Sequence, residues 1–180
     1  MLPFQLRPIT DADLDALVSL DSDPEVMRFI TGGRPTPRAL YTDLLLPRMH
    51  AAATRSGLGF FAVVSPEGSF MGWVHLRLDS FEPAWAEIGY RLARRYWGQG
   101  LATAASRLLA RRAFDELGFA VVSARTMPEN QGSRRVMEKV GLRETGRFVF
   151  PARALPGLDL PEAPGVLYTL RRADRPSELR

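Results

Sequence analysis

The run from Arg94 to Thr103, "RRYWGQGLAT", places two glycines two positions apart, just before an alanine- and leucine-rich segment with helical spacing. Gly98 and Gly100 carry no side chain, so a ligand can approach the backbone closely there. The first amide N–H groups of the following helix have no partner inside that helix, and its dipole adds partial positive charge. The glycine pair therefore predicts a phosphate site, with a plain strand-to-helix turn as the alternative.

Several other chemistries are excluded by the sequence. A dinucleotide fingerprint needs glycine at position 103, where threonine stands, and neither a Gly-Lys-Ser/Thr phosphate loop nor a Gly-x-Ser-x-Gly elbow is present. The chain has no cysteine, which excludes disulfides, thiolate metal ligands and a cysteine nucleophile. Its two histidines have no clustered acidic neighbours and predict no metal site. His75, on a strand face, is expected to be structural or substrate-facing rather than a base.

A short strand is predicted at about residues 4–7, and helices dominate the rest of the first third of the chain. Apolar residues at helical spacing predict a first helix over about 11–19. Asp23 and Thr36 each stand before a proline and predict the caps of two further helices. The later of these is expected to run to about Arg55 and to stop at Gly57.

Strands and helices then alternate around the glycine pair. The remaining elements are a hairpin, a fourth strand, a helix, a strand, a helix and two strands, over about 59–79, 84–92, 100–117, 119–126, 131–140, 143–150 and 166–170. Only "PARALPGLDLPEAPG", residues 151–165, is expected to be a long loop. This order predicts a single α+β domain over residues 1–180 with a central mixed β-sheet flanked by helices. Its strand–helix–strand unit puts a helix N-terminus at a strand's carboxyl end, where open sheets tend to bind ligands.

Composition narrows the possible partners. A chain of 180 residues suits one domain, and no apolar run approaches the ~18 residues of a membrane span. The first ten residues lack the features of a secretory leader, so a cytoplasmic location is expected. The net charge is +4, but the 24 basic residues are dispersed among 20 acidic ones, so nucleic-acid binding is not expected. A phosphorylated cofactor fits this modest positive charge.

Three segments in the right order carry a family resemblance: "AEIGYRLARRYWGQGLAT", "RRAFDELGF" and "PENQGSRRVMEKVGL". With them, nearly the whole chain resembles the GCN5-related N-acetyltransferase (GNAT) family, in a branch similar to ribosomal-protein N-terminal alanine acetyltransferases. The resemblance implies a splayed mixed sheet and acetyl-CoA as co-substrate.

The resemblance also implies a set of cofactor-binding residues. Pantetheine would lie along the fourth strand at Tyr90 and Leu92, Arg95 opens the matched Arg-x-x-Gly-x-Gly pattern, and Trp97 would form a wall over the cofactor or pack in the core. The pyrophosphate would rest on the backbone amides of Gly98, Gln99, Gly100, Leu101, Ala102 and Thr103. One departure is Ala104, since the branch commonly has a carboxylate at this position.

Acetyl transfer from a thioester needs a neutral amine and a proton for the leaving thiolate. Glu87, close to where the resemblance puts the acetyl group, is the candidate base, acting through water. The alternative is an exposed carboxylate paired with Arg77 or Arg91. The matched motif makes Ser133 the proton donor to the thiolate and Asn130 a partner of the pantetheine arm, and both have an alternative as caps of the helix that follows.

The sequence therefore predicts an acetyl-CoA-dependent N-acetyltransferase that works by direct attack in a ternary complex, without a covalent enzyme intermediate and without a metal. The acceptor is a primary amine, and a protein N-terminus and a small molecule both stay open. The alternative function is a noncatalytic acyl-CoA-binding or partner-binding domain of the same fold. No membrane or nucleic-acid partner is expected, and a homodimer is left open.

Overall fold

Seven strands form one mixed sheet at the centre of the structure, a computed structural model that describes residues 3–53 and 57–179. The strand order is β1-β2-β3-β4-β5-β9-β6, and the β4–β5 pair is parallel while the other neighbours are antiparallel. The strands are β1 Gln5–Pro8, β2 Gly59–Val64, β3 Phe70–Leu78, β4 Ala86–Leu92, β5 Val121–Thr126, β6 Arg143–Phe150 and β9 Ala163–Arg171. The predicted mixed α+β fold is confirmed.

Helices cover both faces of this sheet. In the described residues they are α1 Leu14–Asp21, α2 Pro24–Thr31, α3 Arg38–Leu40, α4 Leu46–Ala51, α5 Leu101–Arg111 and α6 Gln131–Val140. The first four lie on one face, where Leu17, Tyr41 and Trp73 belong to one buried apolar cluster. The other two lie on the opposite face, where Leu109 and Met137 belong to the second cluster. Each face of the sheet therefore has its own core.

The sheet splays between its two parallel strands. The β4–β5 ladder contains two residue pairs, Ala86 with Val122 and Glu87 with Ser123. Beyond Glu87 the strands continue to their ends without pairing to each other. A gap therefore opens at the carboxyl ends of both strands, and the splayed sheet implied by the sequence is confirmed.

The caps predicted before the two prolines have different outcomes. Asp23 caps α2 as predicted, because its Oδ1 accepts a hydrogen bond from the amide of Glu25 at 2.9 Å. Thr36 caps no helix, so that prediction is wrong. Its hydroxyl instead donates to a carboxylate oxygen of the fully buried Asp21 at 2.6 Å. The buried carboxylate competes for this hydroxyl, and α3 begins only at Arg38.

The third predicted helix is shorter and less regular than expected. Between α3 and α4 it forms a π-helical segment, Tyr41–Leu45, and it ends at Ala51 rather than at Gly57. Pro47 supplies no backbone N–H to the helix, which explains a change of hydrogen-bond register just before it. The predicted end at Arg55 falls outside the described residues.

The segment predicted as a long loop contains a hairpin instead. Strands β7 (Arg153–Leu155) and β8 (Leu158–Leu160) pair across a turn at Gly157, whose φ is +72°. The strands have only three residues each, so their pattern was too short to be recognised in a segment with four prolines. A guanidinium nitrogen of Arg34 donates to the carbonyl of Asp159, which joins the hairpin to the loop between α2 and α3.

Candidate active site

A cleft of about 520 Å³ lies beside the gap in the sheet. Strand β4, the N-terminal turn of α5, one side of α6 and helix α2 form its walls. The predicted site residues that line it are Tyr90, Leu92, Trp97, Gly98, Gly100, Leu101, Ala102, Thr103, Asn130 and Ser133. Segments far apart in the chain are thus brought to one place, as the sequence analysis expected.

The glycine pair leaves the backbone open at the start of α5. Gly98 and Gly100 have φ values of +74° and +77°, and Gly100 is the N-cap of the helix. A Cβ placed at either glycine would have no neighbouring protein atom within 4 Å, so the space in front of both belongs to the cleft. Amides at a helix start that face open space suit an anionic group.

The aromatic ring of Trp97 stands at the mouth of the cleft. Its Nε1 donates to the carbonyl of Leu92 at 2.7 Å, and the residue is 47% exposed. This exposure makes the alternative of core packing wrong for Trp97. The hydrogen bond fixes the ring against the end of β4.

The side chains of Arg95 and Gln99 do not line the cleft. The Arg95 guanidinium lies over the Tyr96 ring at 4.9 Å, and Gln99 Nε2 donates to the Arg95 carbonyl at 3.0 Å. Arg95 contributes instead to a separate depression of about 870 Å³ between α1, α2 and the β2–β3 turn. Both side chains therefore support the glycine loop from outside.

A pair of hydroxyl groups crosses the cleft between β4 and α6. The Tyr90 hydroxyl lies 2.9 Å from both the Oγ and the carbonyl oxygen of Ser133. Burial raises the pKa of Tyr90, so its phenol stays protonated and can donate. Asn130 caps α6 by accepting a hydrogen bond from the Ser133 amide at 3.1 Å, which confirms the cap alternative for Asn130. The Ser133 hydroxyl is left free of the capping role.

Glu87 lies outside the cleft lining, at the last pair before the strands part. It is 8% exposed, so the alternative of an exposed carboxylate is wrong, although its predicted partner is present: Arg77 Nη2 lies 2.9 Å from Glu87 Oε2. Arg91 pairs with Asp21 instead. Burial raises the pKa of Glu87, and the opposing charges of Arg77 and Arg125 do not cancel that effect. A buried carboxylate with a raised pKa is suited to accept a proton near neutral pH.

A second buried carboxylate, Asp79, organises the side of the site next to Glu87. It accepts two hydrogen bonds from Arg125, at 2.5 and 3.0 Å, and others from the Ser123 hydroxyl and the Phe81 amide. Burial by itself would raise the pKa of Asp79, but these donors outweigh it and the pKa is lowered. Asp79 is therefore charged and tightly held.

His75 lies flat on Gly89 of the neighbouring strand. A Cβ at position 89 would come within 2.4 Å of the imidazole Cε1, so only glycine accommodates the ring. Burial, and then the charges of Arg77 and Arg91, hold the pKa of His75 well below its usual value. The imidazole is neutral at pH 7 and stacks on Trp73, as expected of a structural histidine.

Sequence reasoning missed two sides of the cleft. They comprise Glu25, Val26, Arg28, Phe29 and Ile30 of α2, and Arg135, Val136 and Lys139 of α6. Arg135 and Lys139 are four residues apart and therefore share a face of α6, which was a usable signal for a pair of cations on this helix. The α2 residues offered none, since no sequence pattern brings that helix opposite β4. Arg28, Arg135 and Lys139 have no acidic partner in the described parts of the chain.

Neither a membrane-spanning helix nor a cluster of metal-ligating side chains is present among the described residues. None of the helices there is long and apolar enough to cross a membrane. No group of three or more metal-ligating side chains comes together within residues 3–53 and 57–179.

Comparison with known proteins identifies relatives over most of the chain. Residues 4–143 match the family described as "Acetyltransferase (GNAT) domain". The chain is 34% identical over 152 residues to FsC-acetyl coenzyme A-N(2)-transacetylase of Aspergillus fumigatus, covering 81% of this chain and 64% of that protein. It is 39% identical over 117 residues to the putative ribosomal N-acetyltransferase YdaF of Bacillus subtilis, covering 63% of this chain and 61% of that protein. The chain thus spans less than two thirds of the length of these two relatives.

Solved structures share the fold. Mycobacterium smegmatis RimJ in complex with CoA-disulfide superposes with a TM-score of 0.75 at 22% identity, covering 99% of this chain and 90% of that one.

Proposed function

Because the chain belongs to the GNAT family of acetyltransferases, we propose that it transfers the acetyl group of acetyl-CoA to a primary amine by direct attack in a ternary complex. The predicted family is confirmed, and the similarity to the putative ribosomal N-acetyltransferase YdaF supports the predicted branch. The prediction of an enzyme is confirmed at the level of the family, whose members are acetyltransferases.

The observation that carries the proposal is the open helix start beside a splayed strand. A pyrophosphate fits the exposed amides from Gly98 to Thr103, where no side chain obstructs its approach. The unpaired cations Arg28, Arg135 and Lys139 line the same cleft and suit further phosphate groups. The extended pantetheine arm, which carries amides, fits the part of β4 that β5 leaves unpaired.

The proposed reaction forms a C–N bond and breaks the thioester C–S bond. Glu87 accepts the amine proton through water, and the neutral amine attacks the carbonyl carbon. The Ser133 hydroxyl donates a proton to the departing thiolate and regains one by way of water from the nitrogen that has become acetylated. Tyr90, which lies 2.9 Å from this hydroxyl and keeps its own proton, holds it in place. No enzyme nucleophile is needed, so no covalent intermediate forms.

The names of related proteins support the cofactor and the type of reaction. The Aspergillus fumigatus relative is named as an acetyl coenzyme A transacetylase acting at a nitrogen, and the RimJ structure contains a CoA derivative. A spermidine N-acetyltransferase from Vibrio cholerae in complex with CoA and spermine shares the fold, with a TM-score of 0.72 at 16% identity. These relatives act on different amines, so the acceptor has to come from the site itself.

Replacing Gly100 with valine is expected to weaken acetyl-CoA binding about 10- to 100-fold in calorimetry, since the branched side chain would occupy the space in front of the helix amides. Gly118→Val is the matched control. Gly118 has a φ of +78° and equally open surroundings, but it lies outside the cleft. Both variants share the backbone strain of about 1–2 kcal/mol, and only Gly100→Val should lose affinity.

Equal affinity in parent and Gly100→Val would place the cofactor elsewhere. The noncatalytic alternative is tested on the parent by a thiol-release assay with a panel of amines. Tight acetyl-CoA binding with no thiol release from any amine would support that alternative and contradict the proposed enzyme.

Replacing Ser133 with alanine is expected to lower kcat by about 10- to 100-fold and to change KM for acetyl-CoA little. A hydrogen bond to a developing thiolate is worth ~1.5–3 kcal/mol and acts mainly in the transition state. The melting temperature should hardly change, because Asn130 continues to cap α6. Ser106→Ala is the matched control, since it removes a buried hydroxyl without a partner on α5. An unchanged kcat with a lower melting temperature would assign Ser133 a structural role only.

Two further predictions concern the chain as a whole. We propose that residues 1–180 form one domain, because the central sheet includes strands from both ends of the described chain. A cytoplasmic location stays a prediction, and a homodimer is left open.

A further inference from the structure

Three aromatic rings form a partly exposed cluster near Glu87. Phe81, from the β3–β4 loop, is 53% exposed and lies 6.0 Å from Phe148 of β6, centroid to centroid. Phe148 in turn lies 4.6 Å from Phe150 in an edge-to-face arrangement. We refer to Phe81, Phe148 and Phe150 as the aromatic cluster. Exposed aromatic side chains that contact one another are typical of a surface that binds a ligand or another macromolecule.

The aromatic cluster is held in place rather than loosely exposed. The backbone amide of Phe81 donates to the buried carboxylate of Asp79 at 2.8 Å. The Phe148 ring lies over Gly165, where an added Cβ would come within 2.5 Å of its Cζ. Two features of the fold thus hold the backbone of Phe81 and the ring of Phe148, and a surface held in this way costs less entropy to order when a ligand binds.

One arginine connects the aromatic cluster to Glu87. The Arg125 guanidinium lies 4.8 Å from the Phe81 ring centroid and 5.8 Å from that of Phe148. The same group is 4.0 Å from Glu87. The rings are therefore separated from the proposed base by the width of one guanidinium, which is within the reach of a small amine bound at both places.

The charges around the aromatic cluster argue against a polycationic acceptor. Glu82, next to Phe81, is exposed to water, and the two buried carboxylates nearby, Asp79 and Glu87, are already paired with Arg125 and Arg77. A polyamine or an aminoglycoside brings at least one further ammonium group, which needs its own acidic partner when it leaves water. Neither of these two carboxylates is free to provide one.

From these contacts we infer that the aromatic cluster binds an apolar or aromatic group of the acceptor, so that the substrates of this site are amines with one cationic centre and an apolar body. The inference rests on the proposed acetyltransferase function. It assigns Phe81 and Phe148 to the selection of the acceptor and leaves the chemical step to Glu87 and Ser133.

The test compares three amines as acceptors in the thiol-release assay: 2-phenylethylamine, ethylamine and spermidine. The parent protein should use 2-phenylethylamine with a kcat/KM at least about tenfold above the other two, since one apolar group in a fitted pocket gives discrimination of this size. Phe81→Ala should lower the ratio of kcat/KM for 2-phenylethylamine to kcat/KM for ethylamine by about tenfold or more.

Val149→Ala is the matched control for the variant. Val149 is 58% exposed and lies on the opposite face of β6 from its neighbour Phe148, so its removal should affect neither amine. Spermidine used as well as 2-phenylethylamine, or equal losses for both monoamines in Phe81→Ala, would overturn the inference while the acetyltransferase function stands. Thiol release with none of these three amines but with another primary amine of the panel would overturn the inference alone. No thiol release with any amine of the panel would overturn the proposed function and, with it, this inference.

Discussion

Replacing Glu87 with glutamine is expected to lower kcat/KM by about 10²–10⁴-fold at neutral pH, because the variant keeps the size of the side chain but removes the group that accepts the amine proton. The amide oxygen of glutamine can still accept the hydrogen bond that Arg77 donates to Glu87 at 2.9 Å. The fold around position 87 should therefore survive. A loss of this size reports the chemical step rather than a local rearrangement.

The pH dependence separates a base from a structural carboxylate. In the parent, burial raises the pKa of Glu87, so activity should increase as the pH rises through that pKa and the carboxyl ionises. In the glutamine variant this limb should be missing. The deficit should also shrink at high pH, where a larger fraction of the acceptor amine is already neutral. Measuring kcat/KM against pH for both proteins makes the comparison.

The raised pKa of Glu87 also makes the stability of the fold depend on pH. A carboxyl whose pKa is higher in the folded state contributes stability at low pH, and this contribution is lost as the pH rises through the folded-state pKa. Glutamine cannot ionise, so the melting temperature of Glu87→Gln relative to the parent should increase over the same pH range.

Glu67→Gln is the control for removing a carboxylate, since Glu67 is exposed in the β2–β3 turn and remote from the cleft. The dependence of kcat/KM on pH in Glu67→Gln should match that of the parent. Two parallel curves with equal maxima for the parent and Glu87→Gln would end the assignment of Glu87 as the base.

Replacing Asp79 with asparagine is expected to destabilise the fold by about 3–5 kcal/mol, the usual cost of breaking a buried ion pair by removing one partner. Arg125 has a side chain that is only 7% exposed and would lose the carboxylate with which it makes two hydrogen bonds. For a chain of this length the change corresponds to a drop in melting temperature of roughly 6–20 °C. Thermal unfolding followed by circular dichroism measures it.

This loss should depend on pH in a defined direction. The pKa of Asp79 is lowered from its ordinary value of 3.8, so its charge contributes stability above that pH, and the contribution disappears as the pH falls through the lower folded-state pKa. The gap between the parent and Asp79→Asn should therefore be constant from about pH 7 to pH 5 and narrow in more acidic solution.

The chain offers a matched exposed pair as the control. Asp15 pairs with Arg38 at 2.6 Å, but its side chain is 84% exposed, so Asp15→Asn should cost no more than about 1 kcal/mol. Equal melting temperatures for the two variants would show that burial adds nothing to the pairing of Asp79 with Arg125.

Local patterns predicted the elements that form locally. Helix α6 was predicted at its observed bounds, since an asparagine cap, helical spacing and a terminal Gly141 with φ of +104° all lie within a dozen residues. The meander and the strand β6 followed in the same way. The errors arose where a distant group intervened, as when the buried Asp21 captured the hydroxyl of Thr36.

The candidate site also contains residues that short motifs predicted and residues that only the fold brings together. Gly98, Gly100 and Ser133 belong to short motifs, so the sequence sufficed to nominate them. Asp79 and Arg125 are 46 residues apart and meet only because β3, β4 and β5 lie side by side. No single sequence reports such a contact, and the aromatic cluster above it was missed for the same reason.

The short β4–β5 ladder has a mechanical consequence. Strands β1 to β4 form one part of the sheet, and β5, β9 and β6 form the other. The two parts are joined by only two residue pairs, at Ala86 and Glu87 of β4. A ligand bound between the unpaired parts of β4 and β5 would connect the two parts of the sheet, because its binding free energy adds to the stability of the folded chain. We therefore expect the ligand-free protein to be more flexible between β4 and β5 than the ligand-bound protein.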